Sequence, residues 1–322
     1  MTTYFVTGGF GFLGQYIVQA LLAHDPQAEI LVLGRTRRET FLGVEKSQRV
    51  RWIQGGLSQT EKYAHELMNV EAIIHVAALV SFRKADADRI IKSNVLGTRA
   101  LTQAALEAGC KNFVFISSIS AVGFNPDGVT DESMYPDLEY KRQTDMYGYS
   151  KMVSEAELRE VSDRMRVIML NPSVVLGPGS DLIEAVLNAA RFVPALPMLS
   201  YVNSFVDVRD VASAAVMALE KGRSGERYIV TDANVDMLTF TRMAMKAAGR
   251  KTLIVPVSNR WVGLLDGLLW ILDVLRLNPG IRRISEMNVD KRLSNEKIKR
   301  EFGWTPQIDF KQSVADTVKG SA

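Results

Sequence analysis

One cysteine, Cys110, and three histidines, His24, His65 and His75, are all that the 322 residues offer of the side chains most used for disulfides and transition-metal sites. A lone thiol cannot pair within its own chain, and the histidines lie too far apart to suggest a metal cluster with it. No metal is expected, and the thiol content fits a reducing, cytoplasmic setting. Charge of one sign is equally scarce. Lys and Arg number 39 against 36 Asp and Glu, and they are scattered, so the concentrated basic face that nucleic acid requires is missing. The residues after Met1 lack the basic region, apolar stretch and small-residue cleavage site of an export signal. The most apolar stretch, Trp261 to Leu277, contains Asp266, Asp273 and Arg276 and falls short of the about 20 largely apolar residues of a membrane span. Internal repeats, low-complexity tracts and charged linkers do not occur.

What is present is the balance of a globular protein, 47% hydrophobic and 23% charged residues, in a chain long enough for a large core or a main domain with a smaller lobe. Short apolar runs at Tyr4 to Val6, Ile30 to Leu33, Val50 to Ile53, Ala72 to Val76, Asn112 to Ile116 and Val167 to Leu170 predict strands buried on both faces. Between them, Leu13, Ile17 and Leu21, and then Ile91, Val95, Leu101 and Leu106, recur at helical spacing. Alternation of strand and helix predicts an α/β fold, a doubly wound parallel sheet of the Rossmann type. After Pro172 the texture changes: Gly177-Pro178-Gly179 forms a loop and Pro194 and Pro197 interrupt an aperiodic apolar stretch. The expected division is a cofactor domain over 1–172, to which segments around 203–232 return, and a smaller C-terminal α/β substrate lobe over 173–322.

Thr7-Gly8-Gly9-Phe10-Gly11-Phe12-Leu13-Gly14 follows the first strand and opens the first helix. Gly8 permits a tight turn, Gly11 lets backbone amides approach a pyrophosphate, and Gly14 allows close helix packing on the sheet. The helix N-terminus adds amides and a positive dipole end. Where an NAD-preferring fold ends its second strand with Asp or Glu, this chain reads Leu33-Gly34-Arg35-Thr36-Arg37-Arg38. A guanidinium can fork onto a 2′-phosphate that a carboxylate would repel, so NADP(H) is the preferred cofactor, with NAD(H) as the alternative.

Tyr147 and Lys151 stand four residues apart and share a face if they lie on a helix. A nearby cation would stabilise the phenolate and lower the Tyr pKa. Upstream, the strand ending at Ile116 runs into Ser117-Ser118, at the carboxyl edge where open α/β sheets bind ligands.

With these residues the chain resembles the extended short-chain dehydrogenase/reductase superfamily, which includes the NAD-dependent epimerases and dehydratases, over nearly its whole length. The matching segments are the glycine loop, His75-Val76-Ala77-Ala78, Asn94-Val95-Leu96-Gly97-Thr98, Ser117-Ser118, the Tyr147 and Lys151 pair, and Asn171-Pro172-Ser173 leading to Gly177-Pro178. Phe205 to Ala212 and Glu301-Phe302-Gly303-Trp304-Thr305-Pro306 match as well. The resemblance implies that Ser118 polarises the substrate oxygen, Tyr147 exchanges its proton, Lys151 holds the nicotinamide ribose while lowering the Tyr pKa, and Asn94 organises the helix and a relay water. It also implies a cofactor site built from Gly8, Gly11, Phe12, Leu13, Gly14, Arg35, Arg38, Leu57, Ala77, Ala78, Ser117, Tyr147, Lys151, Pro172, Val174 and Val175. Ser81, Phe82 and Ser118 are the expected substrate contacts, and a homodimer is the expected assembly. One departure stands out: the family's usual Gly-Asp-Leu after the third strand reads Gly55-Gly56-Leu57, which puts the adenine contact in doubt.

Within the superfamily, the chain looks most like the dihydroflavonol 4-reductase and 3β-hydroxysteroid dehydrogenase branch. Sugar-nucleotide dehydratases usually carry Thr-Asp-Glu where this chain has Ser118-Ile119-Ser120, and epimerases an Arg where it has Asn203-Ser204-Phe205. The apolar region Ala185 to Val202 suits an apolar ligand. The expected activity is interconversion of a ketone and a secondary alcohol on a fairly apolar small molecule. A nucleotide-sugar epimerase or dehydratase and a non-catalytic NADP-binding regulator are the alternatives. Trp261 to Leu277 is expected to be a helix with Asn259, Asp266 and Asp273 in one polar stripe. By pattern alone it reads as an ordinary buried helix of the C-terminal lobe, the resemblance implies that part of it lines or caps the pocket, and a third use is an interfacial helix on a membrane surface with Arg260, Arg276, Arg282 and Arg283.

Overall fold

In the computed structural model, which describes residues 2–125, 128–180, 183, 187, 195–257, 261–263, 266, 267 and 289–320, the apolar runs become the strands of one sheet. They are β1 (Thr3–Thr7), β2 (Glu29–Gly34), β3 (Val50–Gln54), β4 (Ala72–His75), β5 (Asn112–Ile116) and β6 (Arg166–Pro172). With three further strands, β7 (Val174–Leu176), β8 (Ala195–Leu199) and β9 (Val202–Asp207), intervening in sequence, β10 (Arg227–Val230) completes a seven-stranded sheet in the order β10-β6-β5-β4-β1-β2-β3. Every neighbouring pair is parallel. The strand order reverses between β1 and β4, and a crevice opens at the carboxyl ends of the strands at such a switch point.

Both faces are covered, as an all-parallel sheet requires. On one side α1 (Phe12–His24) buries Ile17 and Leu21 with Val6 and Val32. On the other, Leu101 and Ala105 pack with Phe5 and Phe113. Only β3, at the edge, departs from burial on both faces: Arg51 and Gln54 are exposed. The expected helix through Ile91 is not one regular helix. A short α2 (Ala87–Ile90) leads into a π-helical turn, Ile91–Leu96, and only then into α3 (Gly97–Glu107). Two more helices follow on this side, α4 (Leu138–Thr144) and α5 (Met146–Glu160).

Beyond β6 the chain builds two small sheets. In one, β9 lies between β7 and β11 (Ala233–Asp236); in the other, β8 pairs in parallel with β12 (Leu253–Val257). The helix α6 (Val208–Lys221) joins α1 on its face of the main sheet, while α7 (Met237–Ala247) belongs to the smaller part. The matching segments at 205–212 and 301–306 turn out to be fasteners between β9, α6 and the last helices, α8 (Glu296–Phe302) and α9 (Phe310–Gly320). Asp210 accepts from the amides of Gln307 (2.9 Å) and Ile308 (3.1 Å), Trp304 donates its indole N–H to the Asp210 carbonyl, and Arg209 bridges Asp207 and Asp316.

Among the described residues no helix is long and apolar enough to cross a membrane. Of Trp261 to Leu277, only Trp261, Val262, Gly263, Asp266 and Gly267 are described, so the expected helix lies outside the described residues, as does most of 185–194.

Candidate active site

The glycine loop has the steric character its sequence requires. Gly8 has φ +71°, and a Cβ there would lie 2.9 Å from the Ala77 backbone, so β1 and the segment after β4 approach as closely as they do only through glycine. A Cβ on Gly14 would come within 2.0 Å of the Gly8 carbonyl oxygen. The requirement at Gly14 therefore comes from the loop folding back on the helix more than from the sheet. No side chain caps the N-terminus of α1, and its first turn holds no acid, which leaves its amides to an incoming anion. Beyond β2, Arg35, Arg37 and Arg38 are all exposed, but Arg37 donates to the Glu45 carbonyl at 2.5 Å and is already committed. Leu57 packs against the position of Gly97, where a Cβ would meet its side chain at 2.9 Å, and its carbonyl accepts from Tyr63.

Asp145 starts α5, accepting from the Gly148 amide at 3.0 Å and pairing with the buried Lys141 ammonium at 3.0 Å. A Cβ on Gly148 would sit 2.6 Å from the Asp145 carboxylate and 2.7 Å from the Ser120 carbonyl, so glycine lets this helix close onto the turn after β5. That approach buries Tyr147, beside Ser118, and buries Lys151 one turn further along the helix. Lys151 donates to the Ile116 carbonyl at 2.7 Å and lies 4.5 Å from the centre of the Phe115 ring; burial pulls its pKa down to about 7. Burial pushes the Tyr147 hydroxyl up to about 12, while a hydrogen bond with Ser118 pulls the other way. The expected lowering of Tyr147 by Lys151 is not found in this arrangement, because desolvation dominates and the ammonium is turned to Ile116. Phe82 meets the Tyr147 ring edge to face at 6.0 Å. Ser81 instead turns its hydroxyl to Asp86 (2.7 Å).

Asn94, in the π-helical turn, forms a two-way amide pair with Leu79: it accepts the Leu79 N–H at 2.7 Å and donates to the Leu79 carbonyl at 3.0 Å. Its remaining N–H reaches Ser150 on α5 (3.1 Å), so one side chain ties the segment after β4 to the helix that carries Tyr147. Ser117 and Ser118 separate in role. Ser118 is half-buried and its Oγ accepts from the Ser120 amide, whereas Ser117 is buried and donates to Glu155. Glu155 also accepts from Asn171 at 2.6 Å and faces Arg227 at 3.5 Å. Nothing in the spacing of the sequence pointed to Arg227 or Gly148, and for Glu155 the sole signal was its place four residues beyond Lys151 on the same helix.

At the end of β6 the Asn171 Oδ1 and Ser173 Oγ atoms are buried without a hydrogen-bond partner. Together with the glycine cradle and the uncapped α1, these orphaned polar atoms fit a polar dinucleotide laid across the switch point. Tyr147 and Ser118 can exchange a proton with a substrate oxygen there, since one is a neutral acid and the other a hydroxyl that can donate or accept.

Comparison with known proteins bears on the same region. The profile of the NAD dependent epimerase/dehydratase family matches residues 4–231. Sterol demethylase protein B of Methylococcus capsulatus is 30% identical over 99% of this chain and 97% of that protein. Human 3 beta-hydroxysteroid dehydrogenase type 7 is 28% identical over 98% of this chain and 94% of its own length. Among solved structures, that of gox2253 superposes with a TM-score of 0.85 at 27% identity, covering 99% of this chain and 98% of the other.

Proposed function

The chain belongs to the NAD dependent epimerase/dehydratase family, and from that membership we propose that it is an NADP-dependent oxidoreductase interconverting a ketone and a secondary alcohol on a fairly apolar small molecule. The observation that carries the reading is Tyr147, buried and hydrogen-bonded with Ser118, with Lys151 one turn along α5 at the carboxyl edge of the sheet. In this reading the domain over 1–172, with 203–232 returning to it, holds the dinucleotide, and 173–322 mainly shapes the substrate pocket. The protein works in the cytoplasm as a homodimer.

Gly8, Gly11 and Gly14 with the amides of Phe12 and Leu13 hold the pyrophosphate. Arg35 and Arg38 hold the 2′-phosphate, and Leu57, Ala77, Ala78, Ser117, Pro172, Val174 and Val175 border the rest. The bound dinucleotide supplies or takes the hydride. In the reducing direction Tyr147, neutral because its pKa stands near 12, gives its proton to the carbonyl oxygen as charge develops there. Ser118 donates a hydrogen bond to the same oxygen, Lys151 orients the cofactor ribose, and Asn94 fixes the helix and the backbone facing it. Phe82, beside the Tyr147 ring, offers an apolar wall. The names of the sterol and steroid relatives support an apolar, ring-built substrate. Against sugar-nucleotide dehydration stands Ser118-Ile119-Ser120, which supplies no carboxylate, and the retained Tyr147 and Lys151 argue against a purely regulatory role.

The test is NADPH oxidation against ketones of graded size, with nucleotide sugars as controls. Tyr147→Phe is expected to lose about 10²–10⁴-fold in kcat, the usual share of a general acid, with NADPH affinity nearly intact. Undiminished turnover in Tyr147→Phe, or turnover of nucleotide sugars alone, would overturn the reading.

A further inference from the structure

Between Asp236 and Asp266 the sequence has no acidic residue, yet it carries Arg242, Lys246, Arg250, Lys251 and Arg260. The first four come together in space. Arg242 and Lys246 lie one turn apart on α7, Arg250 and Lys251 follow its end, and all four line one open hollow of about 510 Å³ with Leu253 and Ile254. None of these four side chains makes an ion pair among the described residues. In a chain of net charge +3 this is a concentration of unneutralised cations.

The small sheet beside them is apolar on both faces. Ile254 is buried and packs with Met245, Leu196 and Met198, forming the inward row. The alternate row pairs Leu253 with Ala195, Val255 with Pro197 and Val257 with Leu199. An outward row would ordinarily be polar, but here every position is apolar, and Leu253 is 63% and Val255 40% exposed. Four residues past the strand, Trp261 is 58% exposed.

We propose that this face, the outward row of β8 and β12 together with the cations of α7 and the following turn, docks the protein on an anionic lipid bilayer. Apolar side chains set beside cations that have no carboxylate partner are what an interface between acyl chains and acidic headgroups accommodates. A second copy of the chain fits poorly. A two-fold contact would set this patch against itself, cation against cation. Lodged there, the protein would draw from the phase in which an apolar small molecule concentrates. The placement does not depend on which reaction the protein performs.

The experiment is co-sedimentation of the full chain with vesicles of phosphatidylcholine alone or mixed in equal parts with phosphatidylglycerol. Binding to the anionic vesicles, released by added salt and weak with neutral ones, is expected. Arg242→Gln with Lys246→Gln should weaken that partition about thirty-fold, from about 1 kcal/mol per cation near such a surface. Leu253→Ser with Val255→Thr should weaken binding while leaving its salt dependence, and circular dichroism and melting of each variant report that the fold is kept. Failure to bind anionic vesicles, or binding that both folded variants leave unchanged, overturns the proposal. So does a response of these cations to inorganic phosphate or to a polyglutamate peptide without vesicle binding, which would make the hollow a site for a soluble anion.

Discussion

The Glu155 carboxylate lies 3.5 Å from the Arg227 guanidinium with both side chains almost wholly buried. Arg227 also donates to the carbonyls of Glu132 and Met134 and stacks on Tyr135 at 3.8 Å, while Glu155 holds Ser117 and Asn171. Burial pushes Glu155 above the usual carboxylate range, and Ser117, Arg227 and Asn171 pull against it. Removing one partner strands the other, so Glu155→Leu is expected to cost about 3–5 kcal/mol. Arg227→Met with Glu155→Leu should cost less than the sum of the two single changes. Urea denaturation of the cycle measures this, and strictly additive losses would show that the pair is not coupled.

His75 is locked in one protonation state by its neighbours. The Thr98 hydroxyl donates to the Asn94 carbonyl and so accepts from His75 Nε2 (2.8 Å); the Thr7 hydroxyl accepts from the Ala77 amide (3.1 Å) and donates to Nδ1 (2.6 Å). Burial first, and the charge of Lys151 second, hold its pKa down to about 3. The unfolded chain therefore binds a proton that the folded one refuses between about pH 6.5 and 3, and stability is lost as pH falls through that window, by at most about 5 kcal/mol. Nitrogen-15 NMR should show a neutral Nε2–H ring through the range where exposed histidines titrate. An imidazolium appearing with an ordinary midpoint would contradict it.

Cofactor choice should follow the two uncommitted arginines. Arg35→Ala and Arg38→Ala are each expected to weaken NADPH binding about tenfold, since hydrogen bonds to charged groups contribute about 1.5–3 kcal/mol, with little change for NADH. Arg37→Ala should do less, its guanidinium already being bonded to Glu45. Fluorescence titration of both reduced cofactors decides the matter, and equal losses for NADH and NADPH would remove these residues from the 2′-phosphate.

The glycines of the loop should differ in tolerance. A methyl group at Gly14 meets the Gly8 carbonyl oxygen at 2.0 Å, whereas at Gly11 the same atom lies 3.2 Å away. Gly14→Ala should abolish dinucleotide binding and lower the melting temperature by several degrees, about what 1–3 kcal/mol of overpacking produces. Gly11→Ala should stay close to wild type in stability. Melting curves that rank the two in the opposite order would show that the loop relaxes around Gly14.

Much of this was open to sequence because it is local. Buried parallel strands announce themselves as apolar runs, Gly8 and Gly14 sit at a strand-to-helix junction, and Tyr147 and Lys151 are separated by one helical turn. What escaped is long-range. Glu155 on a helix reads as a solvated carboxylate until Arg227 arrives on β10, and the hydrogen bond from the Ser81 hydroxyl to Asp86 has no signal in the sequence. The Tyr147 pKa was misjudged for a related reason: a neighbouring ammonium is visible in sequence, whereas the desolvation that outweighs it belongs to the folded whole. The π-helical turn escaped because one additional residue per turn barely disturbs an apolar pattern read at helical spacing.

That turn, Ile91–Leu96, acts as a phase shift between two halves of a helix. Each residue added to or taken from a helix rotates everything beyond it by about 100°. Asn94 looks toward Leu79 and Ser150 while Leu101, Ala104 and Ala105 look into the sheet, two directions that a uniform α-helix of this length would not reconcile. Loss of a single residue here would leave the core helix and the polar clamp out of step, so the length of the segment is as constrained as the Asn94 side chain that it carries.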